Sequence, residues 1–487
     1  MQPLAEKNEG LSLDRAVPAP GPDPELTESL PLSFAQQRLW FFSQLEPASP
    51  LYNIPAALRL TGTLNPDALR QSLVSILERH EALRTNFVSN SGMPVQVIRS
   101  EINLDLPVID LSASAVETRA AEIESTLLRE SQKPFDLAHE LLFRAKLFRV
   151  SAQEHILFLN IHHIVSDEWS MRIFFRELAD FYSNFSGGKT SEPAELPIQY
   201  ADFAIWQREF LSGDVLEKEI AYWKNQLGEN LAPAEIPPDH PRPPVPSYPG
   251  DSKVLDLPIA LATALRELSR REGATLFMTL TAAFKTLLFR YTGEEQVTIG
   301  SPISGRNKVE TENLIGFFVN TIVLRTAVSG EISFRELLGR VRETTLGAYA
   351  HQDLPFEKLV EELQPDRVAG QVPFIQAMFA LQNATTDKPN LSGLEVEPIE
   401  LDTRTAKFDL TLVARETPRG LTIILEYNTD LYDGGTVGRM LGQYGCLLEA
   451  MVANPAEKIS RLPLLRQAER EQLLVGWNQT QTDYPRQ

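Results

Sequence analysis

The sequence predicts a mixed α/β (α+β) protein built as two large lobes. Three observations carry that reading. At 487 residues the chain exceeds one ordinary hydrophobic core. Segments with helical and strand periodicity are interleaved in both halves. Between the halves lies "PAEIPPDHPRPPVPSYP", in which eight of the seventeen residues from 233 to 249 are proline. Such a stretch is a stiff, extended connector rather than a core element.

The elements follow in order. Residues 1–28 read as a Pro- and Glu-containing linker without the basic and apolar regions of a signal peptide. In "LPLSFAQQRLWFFSQLEP", Ser33 is placed to cap a helix carrying Leu39, Trp40 and Phe41. "NPDALRQSLVSILERHEALRTNF" predicts a helix capped by Asn65, with Pro66 in its first turn and Leu69, Leu73, Ile76 and Leu77 on one stripe. "LLFRAKLFRV" and "HILFLNIHHIV" read as two strands of one sheet. Beyond the connector the pattern restarts: a helix over "ATLFMTLTAAFKTLLFRYTG", strands over "EQVTIGSPIS" and "FFVNTIVLRT", then a helix over "SFRELLGRVRETTLGAYAHQ". "FDLTLVARETPRGLTIILEYN" predicts a hairpin turning at Pro418–Gly420. The expected division is a first lobe over 29–205, a second over 206–470 containing the connector, and a linker over 471–487.

A formal net charge of −19 disfavours binding to nucleic acid or to anionic membranes. The single cysteine, Cys446, lies in an apolar helix-like segment and allows neither a disulfide nor a Cys-rich metal site within this chain. No apolar run is long enough to span a bilayer, so a reducing cytoplasm is expected.

The densest chemistry is in "IHHIVSDEWS", residues 161–170, in a chain holding seven histidines. Strand alternation puts Leu157, Leu159, Ile161 and His163 on one face and Ile156, Phe158, Asn160 and His162 on the other. The two histidines therefore cannot play equal parts at one site. Ser166 or Asp167 can cap the following helix, whose N-terminus favours negative charge. A neutral imidazole can accept a proton or orient a nucleophile near neutral pH. A helix N-terminus can supply donors to a developing negative charge.

In order along the chain, "LPLSFAQQRLWFFSQLEP", "RHEALRTNF", "IHHIVSDEWS", "YADFAIWQRE", "IGSPISGRNKVETENLIGFFVNTIVLR" and "AHQDLPFEKLVEEL" resemble the successive core motifs of condensation domains of non-ribosomal peptide synthetases. The resemblance covers about residues 29–470. It implies two chloramphenicol-acetyltransferase-like lobes in a V-shaped pseudo-dimer with a tunnel between them. Upstream donor and downstream acceptor carrier proteins would present thioesters on 4'-phosphopantetheine arms from opposite mouths, the acceptor's α-amine attacking the donor thioester. No cofactor or metal of the domain's own is implied, and a monomer is expected.

By that resemblance His163 is the catalytic residue, serving as base or positioning the amine, with His162 beside it in a packing role. Asp167 is expected to form a structural ion pair with Arg84. Ser304, Arg306 and Asn320 are candidate tunnel-lining residues. Glu168 departs from the family pattern, HHxxxDG, where glycine is usual. It is either a first-turn helix residue favoured by the macrodipole or a second acid/base group. The latter would mark the modified-amino-acid subclass and dehydrate a tethered Ser or Thr. Rival readings are an epimerisation domain, a non-catalytic docking platform and a coenzyme A acyltransferase.

Overall fold

The structure is a computed structural model in which residues 30–113, 115–189, 194–228, 236–245, 247–364, 373–382 and 389–480 are described. The proposed linker over 1–28 lies outside the described residues.

The first half contains β1 (Leu30–Pro31), α1 (Phe34–Leu45), β2 (Asn53–Gly62), α2 (Pro66–Arg79), β3 (Thr85–Asn90) and β4 (Met93–Ile98). It continues through β5 (Val108–Asp110), α3 (Val116–Ser131), β6 (Phe143–Arg149), β7 (Glu154–His162) and α4 (Glu168–Ser186). Helices α5 (Tyr200–Phe210) and α6 (Gly213–Leu227) lead to the connector. The expected boundary at residue 205 thus falls inside α5. Ser33 caps α1 in a reciprocal capping box with Gln36. Asn65 caps α2, its side chain accepting from Ala68 N–H.

Strands β2, β7, β6 and β5 form one sheet, with β7 central. Alternation explains why every residue of β7 after Glu154 is buried. Leu157, Leu159 and Ile161 enter a core shared with Leu69, Leu73 and Leu77 of α2 and Phe174 and Leu178 of α4. Ile156 and Phe158 face the other way, against Leu127 of α3 and Phe148. Covered on both faces, this sheet makes a rigid base for whatever its strand ends carry.

The second half contains β8 (Gly250–Pro258), α7 (Ile259–Arg271), α8 (Leu276–Thr292), β9 (Gln296–Ile303), β10 (Asn320–Ala327), α9 (Phe334–Ala350) and α10 (Phe356–Leu363). There follow β11 (Ala377–Gln382), β12 (Leu394–Ile399), β13 (Leu410–Thr417), β14 (Gly420–Asn428), α11 (Gly434–Ala453) and α12 (Gln467–Leu474). Helix α12 runs across residue 470, where the linker was expected to begin. Six strands make a second sheet in the order β10-β9-β11-β13-β14-β8. Its Ile423, Leu425 and Tyr427 share a core with residues of α7, α8, α9 and α11. Thr422, Ile424 and Glu426 therefore project from the opposite face. The connector is strapped to this lobe, with Asp239 N–H donating to Leu431 C=O at 2.9 Å and Arg242 pairing with Asp409.

Two crossings join the lobes. Strand β12 leaves the second half of the chain and pairs antiparallel with β2, becoming the edge of the first sheet. The segment over 304–319 also crosses, and its Ile315 and Phe317 lie in the first lobe's core. No single cut in the sequence separates the two lobes. Among the described residues, no helix is long and apolar enough to cross a membrane.

Candidate active site

His163 directly follows β7 and opens a 3-10 turn, His163–Val165, that leads into α4. Its backbone N–H donates to Tyr52 C=O at 2.7 Å, fixing the strand end against the start of β2. Its ring Nδ1 lies 2.9 Å from Ser166 C=O. A carbonyl only accepts, so Nδ1 carries the proton and Nε2 keeps its lone pair. Burial and the Lys407 ammonium hold the His163 pKa well below the ordinary value of 6.5, so the ring is neutral at physiological pH. Phe317 packs edge-on with ring centroids 4.9 Å apart, and Tyr52 lies at 6.3 Å on another side. The ring is half-buried, whereas its neighbours His162 and Ile164 are buried.

His162 is turned into the first lobe. Its Nδ1 accepts from Ile164 N–H at 3.2 Å, and its ring meets Phe135. Burial pushes its pKa to about 3. It holds the turn that presents His163.

Asp167 is fully buried and caps α4, Oδ1 accepting from Ser170 N–H at 2.8 Å. Its ion pair is with Arg306, at 3.2 Å, and not with Arg84. Arg84 turns instead to Glu81 at 3.1 Å and to Arg99 C=O. The reason lies in the crossing segment. Arg306 enters the first lobe with that segment, donates to Ser170 Oγ, Thr311 C=O and Leu314 C=O, and stacks 4.0 Å from the Phe318 ring centroid. Phe318 N–H donates to Asp167 Oδ2 at 3.0 Å. One carboxylate thus ties α4 to the segment that brings Phe317 to His163. Arg306 is a buried structural residue, not a tunnel-lining one. The Asp167 carboxylate also caps the N-terminal end of α4 and takes one of its donors, Ser170 N–H.

Glycine is required twice on this segment. Gly305 has φ +64°, and a Cβ there would lie 2.0 Å from Phe318 C=O. A Cβ on Gly316 would lie 2.0 Å from the ring of Tyr200, whose hydroxyl donates to Phe317 C=O at 2.6 Å.

A cavity of about 400 Å³ approaches the site, lined by Ser33, Trp206, Phe317, Asn320, Gln352 and Glu357 among others. Phe317 is the wall shared by this cavity and the imidazole. Asn320 shapes the wall, donating to Gln352 and Leu354 C=O at 2.9 and 2.8 Å and accepting from Phe356 N–H at 2.9 Å. Ser304 is exposed beyond the end of β9 and does not line this cavity.

Glu168 is the first residue of α4 and is exposed. Its carboxylate meets Arg172 at 3.2 Å, one turn on, and accepts from Gln382 Nε2 of the second lobe at 3.3 Å. It bridges the lobes at a solvent-exposed rim and makes no hydrogen bond with His163.

Two side chains that act on or border His163, Tyr52 and Lys407, escaped the sequence reading, as did Glu426, which acts on Lys407. Lys407, between β12 and β13, places Nζ 5.0 Å from the Tyr52 ring centroid. Burial lowers its pKa to about 8, against the pull of Glu426. Burial raises Glu426 to about 7, with Lys407 opposing. The only sequence signal was a lysine immediately before an alternating strand in "TAKFDLTLV".

Among solved structures, the chain matches the X-domain from teicoplanin biosynthesis with a TM-score of 0.85 and 28% identity, over 93% of this chain and 100% of that one. A four-domain nonribosomal peptide synthetase, holo-AB3403, matches with a TM-score of 0.82 at 23% identity, over 93% of this chain and 35% of that one, a likeness of fold alone. The class is therefore the two-lobed, chloramphenicol-acetyltransferase-like fold. The condensation domain family matches residues 27–474, and the chain belongs to that family. A polypeptide of the linear gramicidin synthase of Brevibacillus parabrevis is 49% identical over 93% of this chain, which spans 6% of that protein. Chondramide synthase cmdD of Chondromyces crocatus is 43% identical over 96% of this chain, which spans 12% of that protein. The chain thus corresponds to a small fraction of the synthetases it resembles.

Proposed function

We propose that this domain forms an amide bond between two carrier-tethered substrates, and that His163 is its catalytic residue. The observation that carries the reading is the tautomer: Nδ1 is spent on Ser166 C=O, leaving an unprotonated Nε2 on a ring that is half-buried between Phe317 and Tyr52. The acceptor's α-amine donates a hydrogen bond to Nε2. Its nitrogen lone pair attacks the donor thioester carbon, and the carbonyl π electrons move onto oxygen. The amine nitrogen becomes strongly acidic as the C–N bond forms, so even a weakly basic imidazole takes its proton. When the oxyanion collapses, the C–S bond breaks and the leaving thiolate recovers that proton from His163. Amide and free pantetheine thiol result, with no covalent enzyme intermediate. Enclosure between the lobes keeps water from competing for the thioester. The partners this reading requires are donor and acceptor carrier proteins and an adjacent adenylation domain, in the cytoplasm where aminoacyl thioesters are made.

Intact-protein mass spectrometry of both carriers, before and after mixing with the domain, tests it. The acceptor carrier is expected to gain the donor acyl mass. α-Proton exchange of a donor carrier alone in deuterated buffer would favour epimerisation instead.

Dehydration has weaker support. Glu168 is paired with Arg172 and Gln382 at an exposed rim and makes no hydrogen bond with His163. Glu168→Gly is expected to change the condensation rate by less than about fivefold, since rim ion pairs are worth about 1 kcal/mol or less. A seryl or threonyl acceptor that loses water with the native domain, but not with Glu168→Gly, would restore the acid/base role.

A further inference from the structure

We propose that Lys407 is a second catalytic residue of the condensation reaction, its ammonium holding the oxyanion that forms beside His163; this rests on the amide-forming reading above. The need for such a group comes from the site itself. A helix N-terminus can supply oxyanion donors, but at α4 the Asp167 carboxylate stands at that end, taking Ser170 N–H on one oxygen and Phe318 N–H on the other. The cation of the crossing segment, Arg306, is buried on the same carboxylate and on Ser170.

Lys407 is differently placed. It projects from the second lobe across the lobe boundary onto Tyr52 of the first, whose ring also borders His163. Its side chain is half-buried, and its contact with the Tyr52 face leaves the ammonium's donors for a substrate. Glu426, on the face of the second sheet opposite its own lobe's core, balances the charge. The lysine's field also reaches both histidines, disfavouring protonated imidazole.

In the reaction the lysine neither gives nor takes a proton. As the amine attacks, the thioester oxygen gains the electron pair of the C=O π bond, and the ammonium donates hydrogen bonds to it. When the C–S bond breaks the pair returns to re-form C=O, and the ammonium is unchanged. An oxyanion in an enclosed site gains far more from a fixed cation than it would in water.

The charged and titratable groups acting around Lys407 and its neighbours are Glu426 and Asp402 of the second lobe, Arg38, Tyr52, Arg144, His162 and His163 of the first, and Glu357 paired with Arg38. Because burial brings the lysine to about 8, the rate is expected to fall on the alkaline side as Lys407 loses its proton. Removing the Glu426 charge with Glu426→Gln deletes the group that raises the lysine, so this limb moves to lower pH.

The test is single-turnover amide formation between loaded donor and acceptor carriers on the full chain, at saturating carrier concentration. Lys407→Met is expected to slow it about 100-fold, the effect of losing one oxyanion donor. The half-saturating carrier concentration should stay unchanged, and Lys407→Arg should recover most of the rate. His163 should titrate at higher pH in Lys407→Met by NMR, a readout that a structural lysine outside the site would not move. An active wild type matched within threefold by Lys407→Met overturns the lysine's role alone. A wild type that forms no amide overturns the condensation reading and this one with it. Should Lys407→Met fail to fold, Glu426→Gln decides: an unmoved alkaline limb overturns the proposal.

Discussion

Asp167→Ala is expected to give insoluble or misfolded protein, because it removes three interactions through one fully buried carboxylate. The N-cap of α4, the acceptor for Phe318 N–H and the counter-charge of Arg306 go together. Breaking a buried pair from one side costs about 3–5 kcal/mol, a large part of a typical domain's stability. Arg306 is held by carbonyls and Ser170 and cannot swing out to water without dragging the crossing segment with it. Arg84→Ala serves as the comparison. That residue pairs with Glu81 within its own turn, so the loss should be about 1 kcal/mol. Thermal or denaturant unfolding of both variants checks the assignment. A soluble Asp167→Ala domain with wild-type unfolding, or an Arg84→Ala domain that loses as much as Asp167→Ala, would return the ion pair to Arg84.

His163→Ala is expected to reduce single-turnover condensation by about 100- to 10,000-fold while leaving the unfolding midpoint nearly unchanged, the range of one positioned acid/base group. The ring is only half-buried, and its single side-chain hydrogen bond is to Ser166 C=O within the same turn. His162→Ala should show the opposite split. That ring is buried and accepts from Ile164 N–H, so the variant loses stability first and rate through a disordered turn. Rate measurements under single-turnover conditions, read beside unfolding curves, separate the two. Unchanged peptide output from His163→Ala would mark the domain as a docking platform.

Local physics was legible in the sequence wherever partners are near in the chain. The Asn65 cap, the Ser33 capping box and the hairpin turning at Pro418–Gly420 all lie where composition and period put them. Alternation along β7 told His162 from His163, because a central strand must send neighbouring residues into two different cores. What stayed hidden depends on chain crossings. The partner of Asp167 lies 139 residues away, on a segment that leaves its own lobe, and no periodicity distinguishes Arg306 from Arg84. For the same reason β12 was not foreseen as an edge of the first sheet, and Lys407 was not foreseen beside Tyr52. Glu168 was read either as a first-turn helix residue or, from its departure from the family motif, as a second acid/base group. The helix turns its side chain along α4 toward Arg172, away from the strand end that carries the imidazole.

The account depends on Nε2 of His163 being unprotonated and within reach of a pantetheine arm. A carrier protein bearing a bromoacetyl group on its arm measures that directly, since an accessible imidazole lone pair displaces bromide and keeps the acyl group. Peptide mapping is expected to find the adduct on His163, absent from His163→Ala and slowed in acid. An adduct on His162 instead, or none on either histidine while the native domain still forms amide, would contradict it.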